Sequence, residues 1–294
     1  DVTYDEIEKI KSNRLATVTG INYNPNTNHS AGVQYVYNNT NWKDEMFNDI
    51  LYTTNNNTEV IEQSSYFDKP SVSHNVNAYY NGRWKNKYSL NVNADWMTGD
   101  ATDKMESFFK DNYAEDINTI GAREYNLYAV KGVFSYTNNK WLSLDAGTEY
   151  SYTDVIQTYD IDNSELGIDN SNDVTEQNRW AMFVSANARA GKWGFGAGIR
   201  YENINFDYYQ NQVFNNEQSK SYGKFFPNIQ VGYSSDNIQT VVGYERKIQY
   251  PTYSQLRSNV QYSSPFVYES GNPLLQPQIQ NDFTGMFAYK ELKV

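Results

Sequence analysis

The stretch from Trp193 to Glu202 alternates between two kinds of side chain without an error, and nothing else in the chain constrains its fold as tightly. Trp193, Phe195, Ala197, Ile199 and Tyr201 share one parity, while Gly194, Gly196, Gly198, Arg200 and Glu202 share the other. Successive side chains of a strand point to opposite faces, so a strict period of two describes a sheet with one apolar face and is incompatible with an amphipathic helix. The split recurs in Tyr88, Leu90, Val92, Ala94 and Trp96 against Ser89, Asn91, Asn93 and Asp95. Leu142, Leu144, Ala146, Thr148, Tyr150 and Tyr152 oppose Ser143, Asp145, Gly147, Glu149 and Ser151 in the same way. A rougher case sets Trp180, Met182, Val184, Ala186 and Ala188 against Ser185, Asn187 and Arg189, with Phe183 on the polar side. Leu15 to Tyr23, Ala31 to Tyr37, Val72 to Tyr80, Tyr128 to Tyr136, Phe225 to Tyr233, Ile238 to Tyr244 and Phe283 to Tyr289 complete the set. The total is about eleven strands of roughly ten residues, the length that crosses a bilayer when tilted.

The connections alternate as well. Short polar turns are expected at Asn24 to His29, Asn81 to Lys87, Thr137 to Lys140, Arg189 to Lys192 and Ser234 to Asn237. Long links are expected at Asn38 to Lys69, Gly99 to Arg123, Asp154 to Arg179, Asp207 to Ser221 and Ile248 to Asp282. Short, long, short, long is the meander of an outer-membrane barrel with tight periplasmic turns and extended outer loops. The acidic residues crowd the long links, for example Asp44, Glu45, Asp49, Glu62 and Asp68, which places the acidity on one rim. Tyr23, Tyr80, Trp84, Tyr88, Tyr136, Trp141, Trp193 and Tyr233 sit near the short turns, as a girdle at one membrane interface would.

Composition removes other classes of function. The formal charge of -11 lacks the basic stripe that neutralises phosphates, so no nucleic acid is expected as a partner. The absence of Cys excludes disulfides, zinc-thiolate sites and thiol nucleophiles, and two His cannot build a multi-histidine metal centre. No apolar run approaches the length of a membrane helix, which leaves open a barrel whose strands are apolar only at alternate positions.

Near the C-terminus the residues become more specific. Tyr222 to Tyr233 reads YGKFFPNIQVGY, Tyr244 to Leu256 reads YERKIQYPTYSQL, and Pro265 to Gln280 reads PFVYESGNPLLQPQIQ. This order resembles the barrel domain of TonB-dependent receptors of the Bacteroidetes type, which carries a strand, an I-x-x-P-x-Y-x-x-L segment and a G-N-P-x-L-x-P segment in turn. The matching residues are Lys247, Ile248, Pro251, Tyr253, Leu256, Tyr268, Gly271, Asn272, Pro273, Leu275 and Pro277. Arg257 and Ser258 stand where the family usually has Asn-Pro, and Gln278 where it commonly has Glu. Gly271 is expected to supply a free backbone torsion, and Pro273 and Pro277 to fix an extended, rigid corner leading into Phe283 to Tyr289. The resemblance implies uptake of a scarce nutrient across the outer membrane of a Gram-negative bacterium. It implies outer-membrane lipid and the TonB complex as partners, with a surface lipoprotein as a further candidate. The plug domain, first strands and closing strands of such a receptor are not recognised here, so the chain reads as one partial-barrel segment of a longer protein.

His29 falls among turn formers and His74 in the apolar register of a strand, and neither forms a recognisable catalytic motif, so no enzyme and no cofactor are expected. Asp160, Asp162 and Asp169, with Asn163 and Glu165, gather oxygen ligands of the kind calcium takes. The glycine of this stretch falls at the eighth position rather than the sixth of a calcium loop, and the favoured reading is a solvated acidic loop. Gly191 to Gly198 places its glycines at period two on one strand face, unlike a phosphate loop. Trp42, Phe47, Tyr52, Phe108, Phe109, Tyr113, Tyr208 and Tyr209 in the long links are the candidates for ligand contact, since aromatics beside acids suit sugars, peptides and cations alike.

The expected fold is therefore an all-β, antiparallel, up-and-down transmembrane β-barrel segment acting in transport. Its Trp193 face is expected to meet lipid, with Asp95, Asp145, Glu149, Arg200 and Glu202 facing the lumen. Two alternatives share the alternation: a soluble surface glycan-binding β protein with the Trp193 face in a dry core, and a structural or adhesion barrel without transport. Soluble strands usually run about five or six residues, which favours the barrel.

Overall fold

A computed structural model describes every residue except 1, 55–56, 111–113, 139–140, 164–165, 253–254, 258–259, 273 and 291–294. Among the described residues eleven strands follow one another as antiparallel neighbours of one sheet. They are β1 (Val2–Asn26), β2 (His29–Thr54), β3 (Asn57–Trp84), β4 (Tyr88–Phe109), β5 (Ile117–Asn138), β6 (Leu142–Ile161), β7 (Ser171–Ala190), β8 (Trp193–Gln210), β10 (Lys220–Ser234), β11 (Ile238–Gln249) and β14 (Gln278–Tyr289). Three short strands belong to the connections. β9 (Val213–Phe214) pairs with β8, and β12 (Val260–Ser264) with β13 (Val267–Ser270) makes a separate hairpin. Each of the eleven expected segments lies inside one of the eleven meandering strands.

Four of the short turns also stand where expected, and residues 139–140 of the fifth lie outside the described residues. Between β3 and β4, Lys87 N donates to Trp84 O at 3.0 Å around Lys85 and Asn86, whose φ values are 51° and 53°. Two successive left-handed residues make the hairpin geometry that follows strand twist, and Asn tolerates it better than Lys. Between β7 and β8 the left-handed position is Gly191.

Strand length corrects the sequence reading. Strands β1 to β8 run from 18 to 28 residues, far beyond the expected length. The ladder of β2 and β3 is unbroken from the His29/Gly82 pair to the Thr54/Asn57 pair, and β4 pairs with β5 out to Ser107 and Ile117. Among the described residues Asn38 to Lys69, Gly99 to Arg123 and Asp154 to Arg179 are thus largely strand, Asp207 to Ser221 is about half strand, and Ile248 to Asp282 remains a long connection. The acidity accordingly lies along extended strands rather than in loops. Outside the membrane both faces of a strand can be wet, so the period-two signal fades, while the backbone groups still need partners and the neighbouring strand supplies them.

The two faces are distinct. On the outer face Phe195 (47% exposed), Ile199 (45%), Met182 (57%) and Phe283 (81%) stand open in a contiguous apolar band. Isolated in water such a band would be a liability, whereas a bilayer covers it. The expected girdle forms at the turn end, with Trp193 and Tyr233 rings 5.0 Å apart and Tyr88 and Tyr136 rings 5.3 Å apart. A second girdle, not anticipated from the sequence, follows at Trp96, Tyr128, Tyr201 and Phe225. Each of its members lies eight residues along its strand from Tyr88, Tyr136, Trp193 or Tyr233. Eight residues span about 26 Å of strand, the scale of the apolar band of outer-membrane barrels. Beyond the second girdle the strands continue as a polar wall.

Candidate functional site

The inner face carries the charges. Glu149 accepts from Arg179 Nη2 at 2.9 Å and from Arg200 Nη2 at 3.3 Å, and Arg200 Nε donates to Glu202 at 2.5 Å. Asp145 accepts from Ser185 at 3.3 Å, and Asp95 from Asn77 at 2.7 Å. The parity read from the sequence therefore places all five of these residues on the face opposite Trp193. It also explains Phe183, the apolar residue in the polar register. A Cβ added to Gly147 would lie 2.2 Å from Phe183 Cζ, so the missing side chain makes room for the ring. Lys131 Nζ and the Arg200 guanidinium each lie 5.7 Å from that ring's centre, a cation–π clamp on an otherwise charged wall.

The described residues between 250 and 277 fold back across this face instead of projecting outward. Tyr250 OH donates to Glu202 Oε2 at 2.7 Å, Lys220 Nζ donates to Leu275 O at 3.0 Å, and Tyr262 N donates to Tyr159 OH at 3.0 Å. Burial, then the bond to the Glu202 carboxylate, pushes the Tyr250 phenol well above its ordinary range. Leu256 packs with Phe206 and Tyr208, and Tyr262 joins Ile50, Ile61, Met105, Phe109 and Ile117 in an apolar cluster. Buried apolar groups are what hold a long connection in one place.

The C-terminal motif is the fastening of this segment. Thr252 O accepts from Gln255 N at 3.0 Å and from Leu256 N at 3.2 Å, which makes one tight turn after Pro251. Asn272 N then donates to Gln255 O at 2.6 Å, so the two halves of the motif are tied together. Asn272 also accepts from Leu274 N at 2.9 Å through its side chain and from Leu275 N at 3.1 Å through its carbonyl. Gly271 serves a close approach rather than the expected free torsion: a Cβ there would lie 2.6 Å from Arg257 O and 2.7 Å from Gln255 O. Arg257, where the sequence departs from the family pattern, bonds Gln261 and pairs with Glu269 at 3.6 Å, fixing the β12–β13 hairpin. Pro277 and Leu275 line the space beside Tyr250 and Pro251. Lys247 stays on β11, 3.0 Å from Glu245 and 3.1 Å from Asp282, and Ile248 pairs with Ile279. Tyr253 and Pro273 lie outside the described residues.

Between the hairpin and the inner wall is a chamber of about 390 Å³ lined by Met46, Asn48, Phe67, Lys69, Met105, Thr119, Tyr159, Gln261 and Tyr262. The side-chain oxygens of Asn48 and Ser264 are buried there without a hydrogen-bond partner among the described residues. Unsatisfied buried acceptors are rare, and a bound donor would satisfy these. The candidate aromatics divide around this chamber. Trp42 faces inward beneath Lys69 Nζ at 4.7 Å, and Tyr52 stacks on Phe266 at 5.1 Å. Phe109 and Tyr208 are buried in the apolar clusters, Tyr208 OH donating to Asp173 at 2.5 Å, so they act as supports. Phe47 and Phe108 flank Tyr66 on the outer face, at 6.3 and 5.9 Å, and Tyr209 packs on Phe214 there at 5.5 Å. These eight residues were expected in loops, and those described are instead on strands. Tyr113 lies outside the described residues. Tyr159 could have been found by carrying the Ser143 to Ser151 parity onward, whereas Tyr262 and Gln261 carry no periodic signal.

Neither His is near the chamber. His29 Nδ1 lies 2.9 Å from Tyr80 OH and His74 Nδ1 2.7 Å from Tyr35 OH, both on the outer face. Asp162 accepts from Asn118 N at 2.8 Å and Asn118 Nδ2 at 2.5 Å, while Asp160 and Asp169 are exposed. Among the described residues no three acidic or His side chains gather as a metal site.

The model of the outer membrane protein beta-barrel family matches residues 85–293. Among solved structures the chain is similar to the copper transporter OprC, with 10% identity over 96% of this chain and 52% of that one and a TM-score of 0.56. It is similar to the unliganded ferric citrate transporter FecA, with 12% identity over 86% and 45% and a TM-score of 0.53. It also resembles the closed form of the ferric-catecholate import receptor Fiu from K12 E. coli, with 8% identity over 100% and 56% and a TM-score of 0.53. Identities this low concern the fold. The chain spans about half the length of these structures. No curated protein matches it in sequence.

Proposed function

We propose that this chain, which belongs to the outer membrane protein beta-barrel family, forms part of the wall of a TonB-dependent receptor that takes up a nutrient across the outer membrane. The observation that carries the reading is the folding of residues 250–277 onto a charged inner wall, within a sheet whose outer face is a lipid-wide apolar band. A barrel that served only as an anchor would have no need to occlude its lumen and leave a chamber with unpaired acceptors. The similar structures are named as a copper transporter, a ferric citrate transporter and a ferric-catecholate import receptor, which supports transport as the role. Asn48, Lys69 and Tyr159, which line the chamber, are the residues assigned to meet the nutrient as hydrogen-bonding, charged and aromatic contacts, with Trp42 supporting Lys69 from beneath. No enzymatic step is assigned.

The test is uptake by cells that carry or lack the full-length parent gene, each with TonB intact or deleted, across a panel of ferric complexes, copper and oligosaccharides. Accumulation of one compound that requires both genes supports the reading. Accumulation that ignores TonB, or none across the panel with the protein present in the outer membrane, overturns it.

A further inference from the structure

The lipid-facing band is not uniform, and an open groove crosses it from β4 to β10. Gly132 is an outward residue of β5 with no atom within 4 Å of the position a Cβ would take. Its cross-strand neighbours on the outer face are Val92 and Thr148, and the adjoining register row is Leu90, Phe134, Ala146 and Val184. Gly132, Ala146 and Thr148 thus form a low floor. Leu90 and Phe134 wall it on one side and Met182 on the other, leaving an almost wholly apolar groove of about 620 Å³. That volume falls in the range of ligand pockets.

The groove has a direction. Strands in a barrel are tilted and staggered, so a row of paired residues climbs relative to the membrane plane. The row through Gly132 lies four residues short of Tyr128 in the second girdle on β5, and it reaches Tyr201 and Phe225, members of that girdle, on β8 and β10. The groove therefore rises from mid-membrane to the interface on the side of the long strands, which is the outer leaflet in barrels with short periplasmic turns.

We propose that this groove holds one acyl chain of an outer-leaflet lipid as a specific site. A groove at this depth is filled by hydrocarbon. A small-residue floor between large walls gives one chain more contact than the flat band around it, because dispersion contacts accumulate with close packing. The site stands on membership of an outer-membrane family and is independent of the transport reading.

The test is native mass spectrometry of the detergent-purified full-length parent protein mixed with lipid A or with phosphatidylethanolamine. Wild-type protein should retain one lipid A at higher occupancy than phosphatidylethanolamine. Gly132→Leu, which fills the floor, should lower that occupancy at least tenfold, and Ala146→Leu should do the same if the first variant fails to fold. Gly285→Leu is the control, since Gly285 faces outward with nothing within 4 Å but lies outside the groove on β14. Equal occupancy in wild type and a folded groove variant, equal loss in the control, preference for phosphatidylethanolamine, or no retained lipid would each overturn the proposal.

Discussion

An arginine placed on Ala197 tests the assignment of faces where the bilayer is least forgiving. Ala197 is exposed on the outer face of β8, midway between Trp193 in the turn-end girdle and Tyr201 in the second one. Arg at the midplane of a barrel's lipid face costs about 2–4 kcal/mol, a roughly 30- to 700-fold shift in the folding equilibrium. Ile199 lies only two residues from Tyr201, about 7 Å of strand, so Ile199→Arg reaches the interface and the charge itself costs about 0–1 kcal/mol. The matched control is Gly194→Arg, on the inner face of the same strand with open space where its side chain would go. It should lie within about 0.5 kcal/mol of wild type. Gly198, also inward, is a poorer control because a Cβ there would lie 2.9 Å from Asn228 Oδ1. Urea titration of the full-length protein folded into liposomes gives all three differences. A Gly194→Arg penalty equal to or larger than that of Ala197→Arg would mean the inner and outer faces are exchanged.

Three further outcomes follow from the inner wall. Gly147→Ala drives a methyl against Phe183 and against Gly132 O at 2.8 Å, so it should cost about 1–3 kcal/mol in the same titration. Phe183→Leu in the same molecule should recover part of that loss. Glu149→Gln removes the carboxylate shared by Arg179 and Arg200, whose side chains are 28% and 24% exposed. Breaking a fully buried pair costs about 3–5 kcal/mol, and partial solvent access reduces the expectation here to about 1–2 kcal/mol, read as a lowered urea midpoint. Tyr250→Phe should leave the barrel folded but raise cleavage of residues 250–277 by added protease several-fold. Alkaline pH should act in the same direction. The folded phenol titrates above its ordinary value near 10, so the contact with Glu202 is fully present below pH about 10 and weakens as pH rises beyond it. Cleavage that does not change between pH 8 and 11 would count against the Tyr250–Glu202 latch.

Different parts of the molecule were legible to different degrees. The membrane-crossing portions of the eleven strands were written in the sequence because lipid on one side and a polar lumen on the other impose a period of two. The same parity puts Asp95, Asp145, Glu149, Arg200 and Glu202 together on the face opposite Trp193. It failed above the second girdle, where residues such as Glu45 and Asp49 on the outside and Asp44 on the inside are all acidic and the alternation carries no contrast. Those stretches read as loops, and their pairing over long ladders appeared only in the structure. The aromatic candidates suffered for the same reason: Phe47 and Phe109 looked equivalent as loop residues, yet one lies on the outer face and the other is buried inside.

The sequence by itself determined the sheet, its order and its two faces, because nearest-neighbour antiparallel pairing and side-chain alternation are local properties of the chain. It also singled out the C-terminal motif without saying what the motif does. Only the tertiary structure decided that residues 250–277 turn inward, that Tyr262 meets Tyr159 across 103 residues of chain, and that Tyr250 rests on Glu202. Contacts between a connection and a distant wall depend on the curvature and stagger of the whole sheet, which no periodicity along the chain records.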